Sequence, residues 1–186
     1  MNARMMMKIA ATALLMVAGV IHAQADTALL NEARVQTKQL AQQLQKTLKR
    51  SMQADGPVAA ISVCNVEAPQ IAAGLSEGDW QVGRTALKIR NPANAADDWE
   101  VAVMQSFSEQ LSAGVDPKTM EASKQEGDNF YYMKAIATAP VCLACHGENI
   151  AQPLAEKLDQ LYPQDQARGF RQGQLRGAFT LIKTLK

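Results

Sequence analysis

The pentapeptide Cys142-Leu143-Ala144-Cys145-His146 constrains this chain more than any other stretch. Two cysteines three apart, with histidine directly after the second, form the attachment signature of a c-type haem. Each thiol adds to one vinyl group, and the two vinyls sit on neighbouring pyrrole rings, so a short span reaches both. The next residue then lies under the iron, where His146 supplies the proximal imidazole. Three rivals compete for the same residues. A thioredoxin-like pair normally opens a helix after a strand and needs no trailing histidine. A structural disulfide is the second. The third is zinc: beyond the leader described next, the chain holds Cys64, Cys142, Cys145 and His146, formally a Cys₃His set. The adjacency of Cys145 and His146 makes it awkward for both to point at one tetrahedral ion.

The first 25 residues read as a secretory signal. Arg4 and Lys8 form a basic start, residues 9–21 an apolar run, and Ala23-Gln24-Ala25 an A-x-A cleavage site. That run is too short to span a bilayer, so stable membrane insertion is not expected once the signal is cut. Asp26, rather than a cysteine, follows the cut, which disfavours a lipoprotein. Export to an oxidising periplasm suits haem c attachment. Cleavage leaves residues 26–186, or 161 of the 186, expected to fold as one haem-binding domain. The leader removes two of the 19 basic residues and none of the 18 acidic ones, and the near-neutral remainder carries no nucleic-acid signal.

Periodicity predicts a long amphipathic helix over 27–52, through Leu30, Ala33, Thr37, Leu40, Leu44 and Leu48, with its apolar stripe packed on its own domain. Asp55-Gly56-Pro57 stops it. A second helix follows, interrupted by Pro69, so a break or kink is expected near Val66 to Ala68 with a new turn from Pro69. Strands are expected over 80–89, 119–125, 129–138 and 176–185, the middle two joined by Glu126-Gly127-Asp128. Asp97 with Glu100 forms a capping box for a helix ending at Gly114. A short helix passes through Leu154, Leu158 and Leu161. The class is α+β, on an antiparallel sheet with flanking helices.

His22 leaves with the leader, so His146 has no histidine partner for the iron's far side. Five of nine methionines leave too, and Met52, Met104, Met120, Met133 and the odd thiol Cys64 remain as candidates. The bland reading of Cys64 is a small buried apolar residue.

Residues 60–72 (AISVCNVEAPQIA), 82–94 (VGRTALKIRNPAN) and Asp98-Trp99-Glu100 extend the case. So do residues 142–147, Tyr162-Pro163, Gly169-Phe170 and Arg176-Gly177-Ala178. Together these blocks resemble a bacterial and cyanobacterial family of single c-type haem proteins with a PAS-like fold, long known as a domain of unknown function. The resemblance spans nearly the whole exported chain; Ala86 stands where serine is common. It implies a Cys/His axial pair, with Cys64 at the cysteine position. A thiolate there would stabilise ferric iron and lower the potential.

Arg84, Lys88 and Arg90 are candidates to meet the haem propionates, Arg84 and Arg90 foremost, against the alternative of a solvated strand face. Trp80, Trp99, Phe130 and Tyr132 carry no assigned role. The functions expected are electron carriage or redox sensing with a protein partner of unknown kind. A second reading is a sensor of carbon monoxide or nitric oxide that displaces Cys64. A peroxidase is the weakest, because no second histidine can serve as the distal acid–base group.

Overall fold

Antiparallel pairing organises the chain into one four-stranded open sheet in the order β1-β4-β3-β2. The structure, a computed structural model, describes the backbone of residues 3–185 and the side chains of residues 26–185. The strands are β1 (Trp80–Thr85), β2 (Glu121–Glu126), β3 (Asn129–Ala137) and β4 (Leu175–Thr184). The helices are α1 (Ala3–Ala54), α2 (Gly56–Ala59), α3 (Ala68–Leu75), α4 (Asp98–Ser112), α5 (Leu143–His146) and α6 (Gln152–Leu161). The chain divides into two compact units, Met1–Val35 and Gln36–Lys186. The first is a length of α1. The second holds the sheet, the remaining helices and the site described below. The leader expected over residues 1–25 lies outside the residues whose side chains are described.

This is the α+β, PAS-like class expected, with a long N-terminal helix. The hairpin closes on Gly127-Asp128, with Glu126 opposite Asn129. At α4 the capping box is complete. The Asp97 carboxylate accepts from the Glu100 N–H at 2.7 Å, and Glu100 accepts from the Asp97 N–H at 3.1 Å. Glu100 also accepts from the Thr85 hydroxyl at 2.9 Å, so the cap ties α4 to the end of β1.

The two sheet faces are covered differently. On one, α4 packs against β3 and β4, and Met104, Phe107, Met120, Met133 and Ala178 close a core without polar atoms other than thioether sulfur. Strand alternation turns the next residues, including Phe179 and Arg84, to the opposite face. The stretch of α1 from Thr37 onward and the helical run ending in α3 lie in the second unit with that face.

Two expectations are corrected here. The break or kink expected near Val66–Ala68 takes the form of a π-helical turn, Val63–Glu67, a little earlier in the chain, through which the helix continues into α3. Proline at 69 lacks an N–H and would crowd the Asn65 carbonyl. The widened turn accommodates it, and the Ala68 N–H bonds back to the Val63 carbonyl. The strand expected over 80–89 stops at Thr85. Beyond the Thr85–Ala178 pair, β1 faces Gly177 so closely that a Cβ there would sit 2.4 Å from the Thr85 oxygen. Ala86 instead forms a parallel bridge with Ala95, and its N–H bonds to the Asn94 oxygen at 3.1 Å. The stretch Gly56–Leu75 has the length and mean hydropathy (1.3) of a membrane span. Its Ala60, Ile61, Val63 and Ala68 are buried within this domain.

Candidate haem site

The CLACH stretch folds as a 3₁₀ turn, Pro140–Cys142, running into the single turn α5. Residues three and four apart on a helix share a side, so Cys142, Cys145 and His146 point together. Cys145 packs against the cluster of Ile61, Leu154, Leu158 and Tyr162, which anchors the turn to α6. Gly147 follows because the chain folds back on itself: a Cβ there would lie 2.5 Å from the Leu143 oxygen.

His146 Nδ1 lies 2.7 Å from the Ala167 carbonyl oxygen. A carbonyl only accepts, so Nδ1 carries the proton and Nε2 is the bare nitrogen a metal needs. Burial, then the charges of Arg176 and Arg90, push the His146 pKa down to about 3, against a smaller raising effect of the Ala167 bond. The imidazole is therefore neutral across the physiological range. Burial likewise pushes the Cys145 thiol up, seconded by Cys64.

Ala167 is held in place by Arg90. Arg90 is 7% exposed and pairs with the buried Asp165 carboxylate at 3.0 Å. The same guanidinium donates to the Cys145 carbonyl at 2.6 Å and to the Ala167 carbonyl at 3.2 Å. Asp165 accepts in turn from the Ala167 N–H at 2.9 Å. Burial alone would raise the Asp165 carboxyl, but the Arg90 and Arg168 guanidiniums and the Ala167 N–H bring it below its ordinary value. One ion pair thus fastens the cysteine turn and the loop that orients His146.

Cys64, Cys142, Cys145 and His146 all line a single cavity. Its volume is about 220 Å³. Ala41, Leu44, Leu48 and Met52 of α1 supply one apolar wall, at helical spacing. The π turn sets Cys64 into the lining; such turns are frequent at functional sites. Of the four methionines weighed as ligands, Met52 alone lines the cavity. Met104, Met120 and Met133 are buried in the core cluster that packs with α4. All three cysteines are free thiols. Among the described residues, no three His, Cys, Asp or Glu side chains assemble into a set that could hold one metal ion, so no zinc cage is presented.

The basic candidates separate. Arg84 lines the cavity. Arg90 lines it too, but its guanidinium is occupied by Asp165, Cys145 and Ala167 as described. Lys88 turns away, its Nζ 2.5 Å from the Arg168 oxygen and over the Phe170 ring. Trp80, Trp99, Phe130 and Tyr132 do not line the cavity. Three participants were not legible in the sequence: Asp165 and Ala167, whose roles arise from a loop contact across the chain, and Arg176, which also lines the cavity.

The donors fit a covalently held haem. Two thiols and a bare imidazole nitrogen sit on one turn beside a largely apolar slot, and a buried Arg176 Nε without a partner adds a polar atom awaiting one. Fold and site together define a haem-binding, cytochrome-like protein. A family model for Tll0287-like proteins matches residues 22–183, and the chain belongs to that family. The crystal structure of the cyanobacterial haem protein Tll0287 is similar to this chain, with a TM-score of 0.65 and 25% sequence identity over 83% of this chain and 94% of that one. No curated protein matches the chain.

Proposed function

We propose that this chain is a periplasmic mono-haem c protein that works as an electron carrier or redox sensor. In this reading Cys142 and Cys145 carry the thioethers, and His146 and Cys64 are the axial ligands. The observation that carries it is the His146 ring, whose Nδ1 proton is fixed on Ala167 while Nε2 is left for a metal in a cavity that Cys64 also lines. Bound haem supplies one-electron chemistry. The chain's own residues do the rest: Ala167 holds the imidazole tautomer, the Arg90–Asp165 pair fixes the Ala167 loop, and the apolar α1 wall limits water. A Cys64 thiolate would favour ferric iron and a low potential. An electron-transfer or signalling protein is the partner this reading needs.

The test of the ligand set is Cys64→Ala. The ferric protein should lose its thiolate-type low-spin signature and its potential should rise. An unchanged low-spin ferric spectrum sinks the Cys64 assignment and turns attention to Met52, which shares the cavity.

A second reading, gas sensing, is favoured by the position of Cys64 in the π turn, a backbone irregularity that could let the ligand move away. It expects carbon monoxide to bind the ferrous protein. No ferrous carbonyl band after saturation would remove it.

A further inference from the structure

The sheet carries an irregularity at the cavity's edge. Between β3 and β4 the register slips: Ile136 faces Gly177, but Ala137 faces Leu175, so Arg176 is the extra residue of a bulge. Alternation alone would turn Arg176 to the α4 face, along with Ala178. The bulge re-aims it, as bulges beside functional sites do, and Arg176 lines the cavity with Gly177 and Phe179. Leu175, on the other side of the bulge, packs against the α4 core.

What Arg176 finds there is incomplete. One terminal nitrogen donates to the Lys88 carbonyl at 3.3 Å, and the guanidinium lies over the Phe170 ring at 5.4 Å. Its Nε is buried and has no hydrogen-bond partner. Burial, then the charges of Arg90 and Arg84, lower the Arg176 pKa to about 10. Arg84 lines the same cavity and makes no hydrogen bond or ion pair among the described residues. Asp165 is the nearby carboxylate, but its oxygens are taken by Arg90, Arg168 and the Ala167 N–H. Two guanidiniums therefore face a largely apolar slot with no anion assigned to them. An unpartnered buried donor is costly, and a carboxylate meeting a guanidinium fork removes that cost.

We propose that the β4 bulge delivers Arg176, together with Arg84, as the seat for the haem propionate carboxylates, while Arg90 belongs to the protein's own clamp on His146. This rests on the haem reading above. It also gives the bulge a purpose: without it Arg176 would turn to the α4 face and the cavity would lose a cation whose Nε is buried and unpartnered.

The experiment compares purified haem-loaded wild type with Arg176→Gln, Arg84→Gln and Arg176→Lys. The thioethers keep the haem in place, so occupancy and seating can be read separately. Resonance Raman reports the propionate bending bands, and a redox titration reports the potential. Arg176→Gln is expected to shift a propionate band. It should also cut the ferrous-to-ferric ratio at a fixed ambient potential by about tenfold, or about 59 mV for a one-electron couple. Arg84→Gln should shift a propionate band as well. Arg176→Lys should keep much of the potential but not the band, because an ammonium lacks the planar fork. Exposed Arg171→Gln should change neither. If Arg176→Gln fails to fold, Arg84→Gln and Arg176→Lys are read by the same bands. Propionate bands identical to wild type in the folded variants overturn the assignment even if the potential moves. A wild-type protein with no covalent haem would instead overturn the reading beneath it.

Discussion

The two faces of the sheet are built to opposite specifications. Toward α4, Met104, Phe107, Met120, Met133 and Ala178 fill their own space and need nothing further. Toward α1 and the π turn, the chain keeps a cavity, gathers Arg84, Arg90 and Arg176 at it, and leaves one of their donors unpaired. A protein interior normally approaches close packing and satisfies its buried polar groups. One face obeys that rule alone. The other would obey it once the proposed haem, a large, flat, anionic-edged group, is in place. The bulge at Arg176 and the π turn at Cys64 both belong to the second face, so the irregular backbone is concentrated at the cavity.

That contrast can be broken in order of expected effect. Replacing both Cys142 and Cys145 with serine should abolish covalent haem entirely, seen as loss of acid–acetone-resistant Soret absorbance. The α4 face should then still fold, as judged by retained sheet signal in circular dichroism. Phe107→Ala is the converse experiment. It should lower stability by about 3–5 kcal/mol through a cavity in the closed core, with the haem spectrum unchanged. A shifted Soret band in that variant would mean the faces are not independent.

Arg90→Met addresses the clamp that joins the Cys145 turn to the Ala167 loop. Losing Arg90 leaves the buried Asp165 with only Arg168 and the Ala167 N–H as partners, so a cost in urea unfolding below the roughly 3–5 kcal/mol of a fully uncompensated buried charge is expected. The ring of His146 should also lose its fixed orientation, visible as a changed iron–histidine stretching band. Loss of stability with that band unaltered would reduce Arg90 to a purely structural role. Asp97→Ala should be the mildest. It removes a capping-box acceptor at α4 for about 1 kcal/mol, and the haem spectrum should not respond.

The sequence carried the closed face well. Period-two alternation in β3 and the Asp97–Glu100 box are local signals, and the expected strands of 119–125, 129–138 and 176–185 lie within two residues of those observed. The CLACH spacing was equally plain in the sequence, and the structure brings its two thiols and imidazole to one cavity. The haem face was less legible for a physical reason. Its geometry comes from departures from periodicity, and those depend on distant partners. Pro69 announced a disturbance, but not that it would widen one turn around Cys64 rather than break the helix. Alternation gave no warning that Arg176 would be the extra residue of a bulge. Arg90 was visible as a cation near the site. Its attachment to Asp165, 75 positions away, could be seen only once the loop had folded back onto it.

The central claim is that this face holds one covalent haem between His146 and Cys64. The most direct test is a redox-titrated absorption and paramagnetic-resonance measurement on the purified protein. The account predicts a thioether-type pyridine haemochrome at one haem per chain and a low-spin ferric signal of imidazole–thiolate type, with a low midpoint potential. A protein with no Soret band and stoichiometric zinc would contradict it outright.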